Sequence, residues 1–421
     1  MILLFLVSGL FLGWSLGAND ASNVFGSAVG SKMISFRNAA IIASVFVIAG
    51  AVIQGEGASE TLGRLGSVNA IGGAFTVALA AAVTVLIMTR FAIPVSTTQA
   101  IVGAIIGWNL FTGNPTDSRT LSEIVLTWVS GPVLGAVFSI FLYFLLKKIK
   151  RSLQIHLVRF ESYIRQGLII AGAFAAYSLG ANNIANVMGV FVPAFRLEDL
   201  DLGFFVLSSA RQLFLLGGLA IAAGIISYSR KVMDTVGSGI MELSGEAAFV
   251  VVLAESLVLF MFSSSGLSDL LKSIGLPPVP LVPVSSSQVL IGAVIGIGLY
   301  RGSANINFRV LGEIAAGWVT TPVAAGLLCF FSLFLVKNIF SIEVGYDSSL
   351  TVPGSSLQGY MTTEGGKSIN GIFRNILLGL MTAGTVAATL YFTQEARKNR
   401  ELRKSEEKFW GNLKTGKKKP D

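Results

Sequence analysis

Only one cysteine, Cys329, and one histidine, His156, occur in the 421 residues, which excludes a disulfide framework and any His/Cys metal cluster. Charge is almost as scarce. Asp, Glu, Lys and Arg make up 13% of the chain while 53% is hydrophobic, and the mean hydropathy is +0.72. That leaves too few polar groups to clothe a soluble domain of this length. Also missing are a glycine-rich nucleotide loop and any assembly of nucleophile and base, so no enzyme is expected.

What is present is apolar sequence suited to lipid. The runs 3–18, 39–54, 74–89, 124–146, 204–227, 247–262 and 318–336 carry almost no charge. Each is long enough, or nearly so, to cross roughly 30 Å of hydrocarbon as a helix. Glycine is abundant, at 47 residues, as helices need when they must approach closely without a hydrophobic drive between them. The first run has no basic segment before it and leads directly into the polar stretch Gly17–Asp20, so it reads as a helix of the mature chain rather than a cleaved signal. Cys329 falls in an apolar run, where packing is its expected role.

The chain repeats itself. Gly17-Ala-Asn-Asp-Ala-Ser-Asn23 returns as Gly180-Ala-Asn-Asn-Ile-Ala-Asn186, and Glu60-Thr-Leu-Gly63 as Asp234-Thr-Val-Gly237. Pro94-Val-Ser-Thr-Thr-Gln99 returns as Pro283-Val-Ser-Ser-Ser-Gln288. Leu121-Ser-Glu-Ile124, with Trp128 and Pro132, returns as Leu311-Gly-Glu-Ile314, with Trp318 and Pro322. Chance likeness between Gly/Ala-rich helices explains one such match but not a series in the same order.

Lys and Arg set the orientation. With the N-terminus outside and five crossings per half, the inner loops hold Lys32, Arg37, Arg90, the cluster Lys147–Arg165, Arg230, Lys231, Arg301 and Arg309. The outer loops hold only Arg64, Arg119, Arg196, Lys272, Lys337, Lys367 and Arg374. The halves therefore have opposite topology. The expected fold is an all-α polytopic membrane protein of two inverted-topology repeats with broken or half helices and about eleven transmembrane segments. Residues 1–150 form the first repeat, 151–166 a basic cytoplasmic linker, 167–337 the second repeat, 338–372 an external loop serving as linker or lid, 373–393 a final membrane helix and 394–421 a basic cytoplasmic tail. The net charge of +8 is read as attraction to a lipid surface rather than to nucleic acid, and His156 as a solvated loop residue.

Polar groups within membrane segments are costly, so their clusters mark function. Pro94 and Pro283 each precede hydroxyl residues suited to cap a short, glycine-punctuated helix, which places a helix N-terminus inside the bilayer in each repeat. Unpaired N–H groups and the positive dipole end attract anions there. Ser96, Thr97, Thr98 and Gln99, matched by Ser285, Ser286, Ser287 and Gln288, add donors, and two such ends facing one another would cage a tetrahedral oxyanion. The competing reading, ordinary caps at a loop, is weakened by the duplication.

Asn19, Asp20 and Asn23 fall within about one helical turn and offer hard oxygen ligands to Na+ or a similar cation; Asn182, Asn183 and Asn186 repeat the pattern without formal charge. Unwound backbone near Gly17 and Gly180 is expected to complete the coordination. Interhelical hydrogen bonding by Asn is the alternative. Glu60 and Asp234 read either as gate or cation-access residues or as interfacial caps. Glu255, whose counterpart is Ala81, is either a proton or cation site or a satisfied buried hydrogen bond; Arg211 is a basic residue inside a helix with no evident partner.

At these residues the sequence closely resembles the inorganic phosphate transporter (PiT) family of sodium- or proton-coupled phosphate symporters. Two duplicated motifs carry the likeness: Gly-Ala/Gly-Asn-Asp-x-x-Asn at 17–23 and 180–186, and Pro-Ile/Val-Ser-Thr/Ser-Thr/Ser-His/Gln at 94–99 and 283–288. It covers residues 1 to about 336. The resemblance implies phosphate import driven by a cation gradient across the cell membrane, with Na+ as coupling ion and no other cofactor. Many members carry Asp where this chain has Asn183, and His where it has Gln99 and Gln288. The first departure removes one negative charge; the second leans the likeness toward Na+ rather than protons. Asp20 beside the anion would accept a hydrogen bond from the proton that phosphate keeps near neutral pH and sulfate lacks. A proton-coupled or sulfate-type oxyanion symporter, or a passive anion channel, is the alternative function. The expected partners are inorganic phosphate, Na+ and the lipid bilayer, with no nucleic acid; a homodimer is left open by the sequence.

Overall fold

The computed structural model describes residues 2–345 apart from 31, 91–94, 154–155, 196, 202–205, 240–242 and 303–307. Most of the expected external loop, the final helix 373–393 and the basic tail 394–421 lie outside the described residues, as does Pro94. Within them the chain is an all-α polytopic membrane protein, with eight helices long and apolar enough to cross a membrane.

The first half of the chain contributes α1 (Ile2–Gly30), α2 (Phe36–Gln54), α3 (Glu56–Leu65), α4 (Ile71–Arg90), α5 (Thr97–Thr112) and α6 (Ser118–Leu153). The second contributes α7 (Leu157–Met188), α8 (Ser209–Gly239), α9 (Gly245–Ser263), α10 (Ser265–Ser273), α11 (Ser286–Tyr300) and α12 (Phe308–Asn338). A two-stranded antiparallel ribbon, β1 (Leu200–Asp201) with β2 (Val206–Leu207), lies between α7 and α8. Starts and stops follow local chemistry. Ser35 and Ser244 cap α2 and α9 by accepting the N–H groups of Asn38 and Ala247. Gly113, at φ +74°, ends α5 in the left-handed conformation that glycine adopts freely.

The repeats interlock rather than standing side by side. α1 packs on α8 and α7 on α2; α5 packs on α12 and α11 on α6, so each of these four pairs takes one helix from each half, while α7 also packs on α9 within the second half. Glycines make the approach possible, and they do so twice over. A methyl group at Gly17 would strike the carbonyl oxygen of Ile221, and one at Gly180 that of Val47. Gly50 is equally close to the Tyr177 carbonyl, and its counterpart Gly224 to that of Trp14. In the other pairing, Gly103 sits against Pro322 and Gly292 against Pro132, the two prolines inside the long helices α12 and α6. The same contacts made in both copies place a pseudo-twofold between them.

This corrects one expectation from the sequence. α1 and α7 run as unbroken helices through Gly17 and Gly180, so no unwound backbone is available there for a cation. The glycines admit a neighbouring helix instead. Arg211, for which no partner was evident, pairs with Glu56 at 3.1 Å at the start of α8. His156 is exposed, next to the start of α7, and Cys329 is buried in α12. The opening of the expected external loop is anchored: the Trp108 indole donates to the Val344 carbonyl at 2.7 Å.

α6 and α12 keep an apolar face outward, with Val129, Val133, Val137, Phe141 and Phe144 on the first and Val319, Val323, Leu327, Phe331 and Phe334 on the second. In a membrane protein, such faces belong against hydrocarbon.

Candidate functional site

The duplicated motifs meet in one buried cluster. α1 brings Asn19, Asp20 and Asn23, α7 brings Asn182, Asn183 and Asn186, and α5 and α11 bring their N-termini. All of these side chains are buried; Asn19 is the most accessible, at 8%.

The short helices begin by the same device. Ser96 and Ser285 have extended backbones, and their hydroxyls accept the N–H groups of Gln99 at 3.2 Å and Gln288 at 3.3 Å. The other N–H groups of each first turn have no partner within their own helix. Each helix also ties down the segment leading into the other. The Thr98 hydroxyl donates to the Val284 carbonyl at 3.4 Å, and the Ser287 hydroxyl to the Val95 carbonyl at 3.3 Å. Two positive helix ends are thereby held beside each other across the pseudo-twofold.

The asparagines make the interhelical hydrogen bonds of the second reading. Their amide nitrogens bond across helices: Asn23 donates to Ser286 and Ser287 at 3.2 and 3.1 Å, and Asn186 to Thr98 at 2.9 Å. Asn182 is locked to Val284, donating to its carbonyl at 2.6 Å and accepting its N–H at 2.9 Å. Asn182 Oδ1 and Asn183 Oδ1 already accept within the protein, whereas Asn186 Oδ1 is buried with no partner among the described residues and is the amide oxygen most open to a cation.

Symmetry fails at Asp20. One carboxylate oxygen accepts from Asn19 at 2.8 Å; the other accepts from Ser286 at 3.2 Å and Asn183 at 3.5 Å. One formal charge thus collects donors from three helices, while its counterpart Asn183 is neutral. A second carboxyl is close. Glu255 on α9 is fully buried, within electrostatic reach of Asp20, and neither of its oxygens has a hydrogen-bond partner among the described residues.

Buried polar atoms without partners are rare and costly, about 1–3 kcal/mol each, and they concentrate here. Among the described residues, Thr97 Oγ1, Gln99 Oε1 and Gln288 Oε1 join Asn186 and Glu255. Hydroxyls and helix-end N–H groups suit an oxyanion, and the carboxylate and amide oxygens beside them suit a hard monovalent cation. Among the described residues, no group of three or more His, Cys, Asp and Glu gathers as a softer metal would need.

Glu60 stands apart from this cluster. It is exposed on α3 and paired with Arg64 at 3.7 Å. Asp234 lies in the last part of α8, and its side chain is outside the described residues. The backbone of Val95 and Val284 was missed by reading side chains; its position directly after the motif prolines was the available signal.

The phosphate transporter family profile matches residues 16–329. A protein of Thermococcus kodakarensis named as a phosphate permease is 27% identical over 418 residues, covering 81% of this chain and 98% of its own. One of Haemophilus influenzae with the same name is 26% identical, covering 80% and 96%. A solved structure described as the sodium-dependent phosphate transporter superposes with a TM-score of 0.62 at 25% identity, covering 80% of this chain and 99% of that one.

Proposed function

Since the chain belongs to the phosphate transporter family, we propose that it imports inorganic phosphate together with Na+ by alternating access. The observation that carries the reading is the meeting of two capped helix N-termini with the single carboxylate of Asp20, all buried and cross-bonded. The anion sits between Ser96–Gln99 and Ser285–Gln288. Na+ sits against Asp20 with oxygens of Asn19, Asn23, Asn182, Asn183 and Asn186, where its charge offsets that of phosphate. Coupling follows from proximity: each ion lowers the electrostatic cost of burying the other.

Residues 1–150 and 167–337 are the proposed repeats, with the N-terminus outside the cell membrane and the C-terminus in the cytoplasm. Because close helix pairs draw on both repeats, the moving bodies of alternating access are hybrid units, not one repeat rocking on the other. Glu60 and Asp234 are proposed to serve cation access from opposite faces.

Labelled phosphate uptake into proteoliposomes tests the reading. An inward Na+ gradient should raise the initial rate roughly tenfold or more over K+ medium, in line with a coupling free energy of about 1–3 kcal/mol. Sulfate in excess should compete poorly. Equal uptake in Na+ and K+ would remove the sodium claim and leave phosphate transport standing.

A pair of variants separates binding from folding. Thr97→Ala removes a hydroxyl that bonds nothing among the described residues, so phosphate affinity should fall roughly tenfold or more, as for a hydrogen bond to a charged group, with the unfolding temperature unchanged. Ser285→Ala removes the cap of α11 and should cost about 1 kcal/mol of stability as well. Isothermal titration and thermal unfolding in detergent read the two effects.

A further inference from the structure

At the end of α6 the lipid-facing stripe gives way to a basic groove. Val137, Phe141 and Phe144 are exposed at alternating spacings of four and three along one face, and Lys148 and Arg151 continue the same row. Beside them a cavity of about 350 Å³ is lined by Phe144, Lys147, Lys148, Arg151, Ser152 and, from α11, Tyr300.

The walls are fixed in place. Lys147 pairs with Glu246 at 3.0 Å, and Lys150 shares the same carboxylate. Tyr300 stacks edge-on against Tyr143 at 5.2 Å, and Arg301 donates to the Tyr143 hydroxyl at 2.8 Å. Lys148 and Arg151, by contrast, have no acidic partner among the described residues, and both are exposed. Two cations, a hydroxyl and an aromatic wall line the cavity, and Phe144 belongs both to that lining and to the exposed apolar row.

We propose that this groove binds the headgroup of an anionic glycerophospholipid, with an acyl chain lying along Val137, Phe141 and Phe144. A free phosphate ion would use the cations but not the apolar row, and the continuity of the two favours the lipid. The site lies apart from the residues proposed to bind the transported ions, and it does not depend on what they carry.

The full chain in detergent is titrated with phosphatidylglycerol or phosphatidylcholine of matched acyl chains, and bound lipid is read by native mass spectrometry. Wild type should retain phosphatidylglycerol in clear preference. Lys148→Gln with Arg151→Gln should weaken that binding roughly thirtyfold, about fivefold for each cation near an anionic lipid. Exchanging the two as Lys148→Arg with Arg151→Lys should restore it, which excludes misfolding as the cause. Lys32→Gln with Arg90→Gln, two cations elsewhere on the chain, should leave it unchanged. Equal retention of both lipids by wild type would overturn the proposal, as would an equal loss in the Lys32/Arg90 variant. Displacement of the phosphatidylglycerol by millimolar inorganic phosphate would reassign the groove to a free anion and overturn it too.

Discussion

Asp20→Asn is expected to abolish sodium-driven phosphate uptake, with a loss on the order of a hundredfold or more, while the protein still folds. The substitution keeps size and shape but removes the one formal charge in the cross-bonded cluster. It also turns a donor toward donors. Asp20 offers one oxygen to Asn19 and the other to Ser286 and Asn183; an amide at position 20 can accept on one side only and must oppose an N–H or O–H on the other. A buried charge that loses its partner forfeits roughly 3–5 kcal/mol, and each 1.4 kcal/mol is about tenfold in affinity. Na+ titration of phosphate uptake is the measurement. A variant that retained a normal Na+ dependence would move the cation away from Asp20, with Glu255 the next carboxylate to test.

Gly17→Ala, and independently Gly180→Ala, should cost about 3 kcal/mol, at the upper end of what overpacking exacts. The added methyl meets the Ile221 or Val47 carbonyl, which is backbone and cannot rotate aside. Helix pairs α1–α8 and α2–α7 must then part, and the motif asparagines, which follow these glycines within a few residues, shift with them. Gly63→Ala is the matched control. Nothing lies within 4 Å of that position in α3, and Ala should gain up to about 1 kcal/mol there from helix propensity. Thermal unfolding followed by size-exclusion chromatography distinguishes the two. Equal melting temperatures for all three variants would mean that the close approach is not rigid.

Much of this architecture was legible beforehand because the constraint of lipid is severe. Apolar runs had to be helices, and the recurrence of Gly17–Asn23 and Pro94–Gln99 had to mean two copies. The capped starts of α5 and α11 follow from a proline ahead of hydroxyl residues. Pairing was not legible. A glycine within a helix admits either unwinding or a close neighbour, and Gly17 and Gly180 turned out to be the second kind because the contacting carbonyls lie some two hundred and some hundred and thirty residues away in sequence. Glu255 was visible as an odd acid in an apolar run, but its approach to Asp20 was hidden because the opposite copy has Ala81 at the matching place. Nor does periodicity reveal short elements such as α3 and α10, whose helices lie outside the apolar runs.

The exchange of partners between halves bears on how the chain is made. α1 enters the membrane with Asn19, Asp20 and Asn23 already on it, long before the ribosome has produced α8 to cover its glycine face or α11 to supply Ser286 and Ser287. Until then, an ionisable side chain and two amides must wait in lipid, in the translocation channel or against a chaperone. Insertion and folding are therefore separate events for this protein, and quality control has its longest opportunity on the first half.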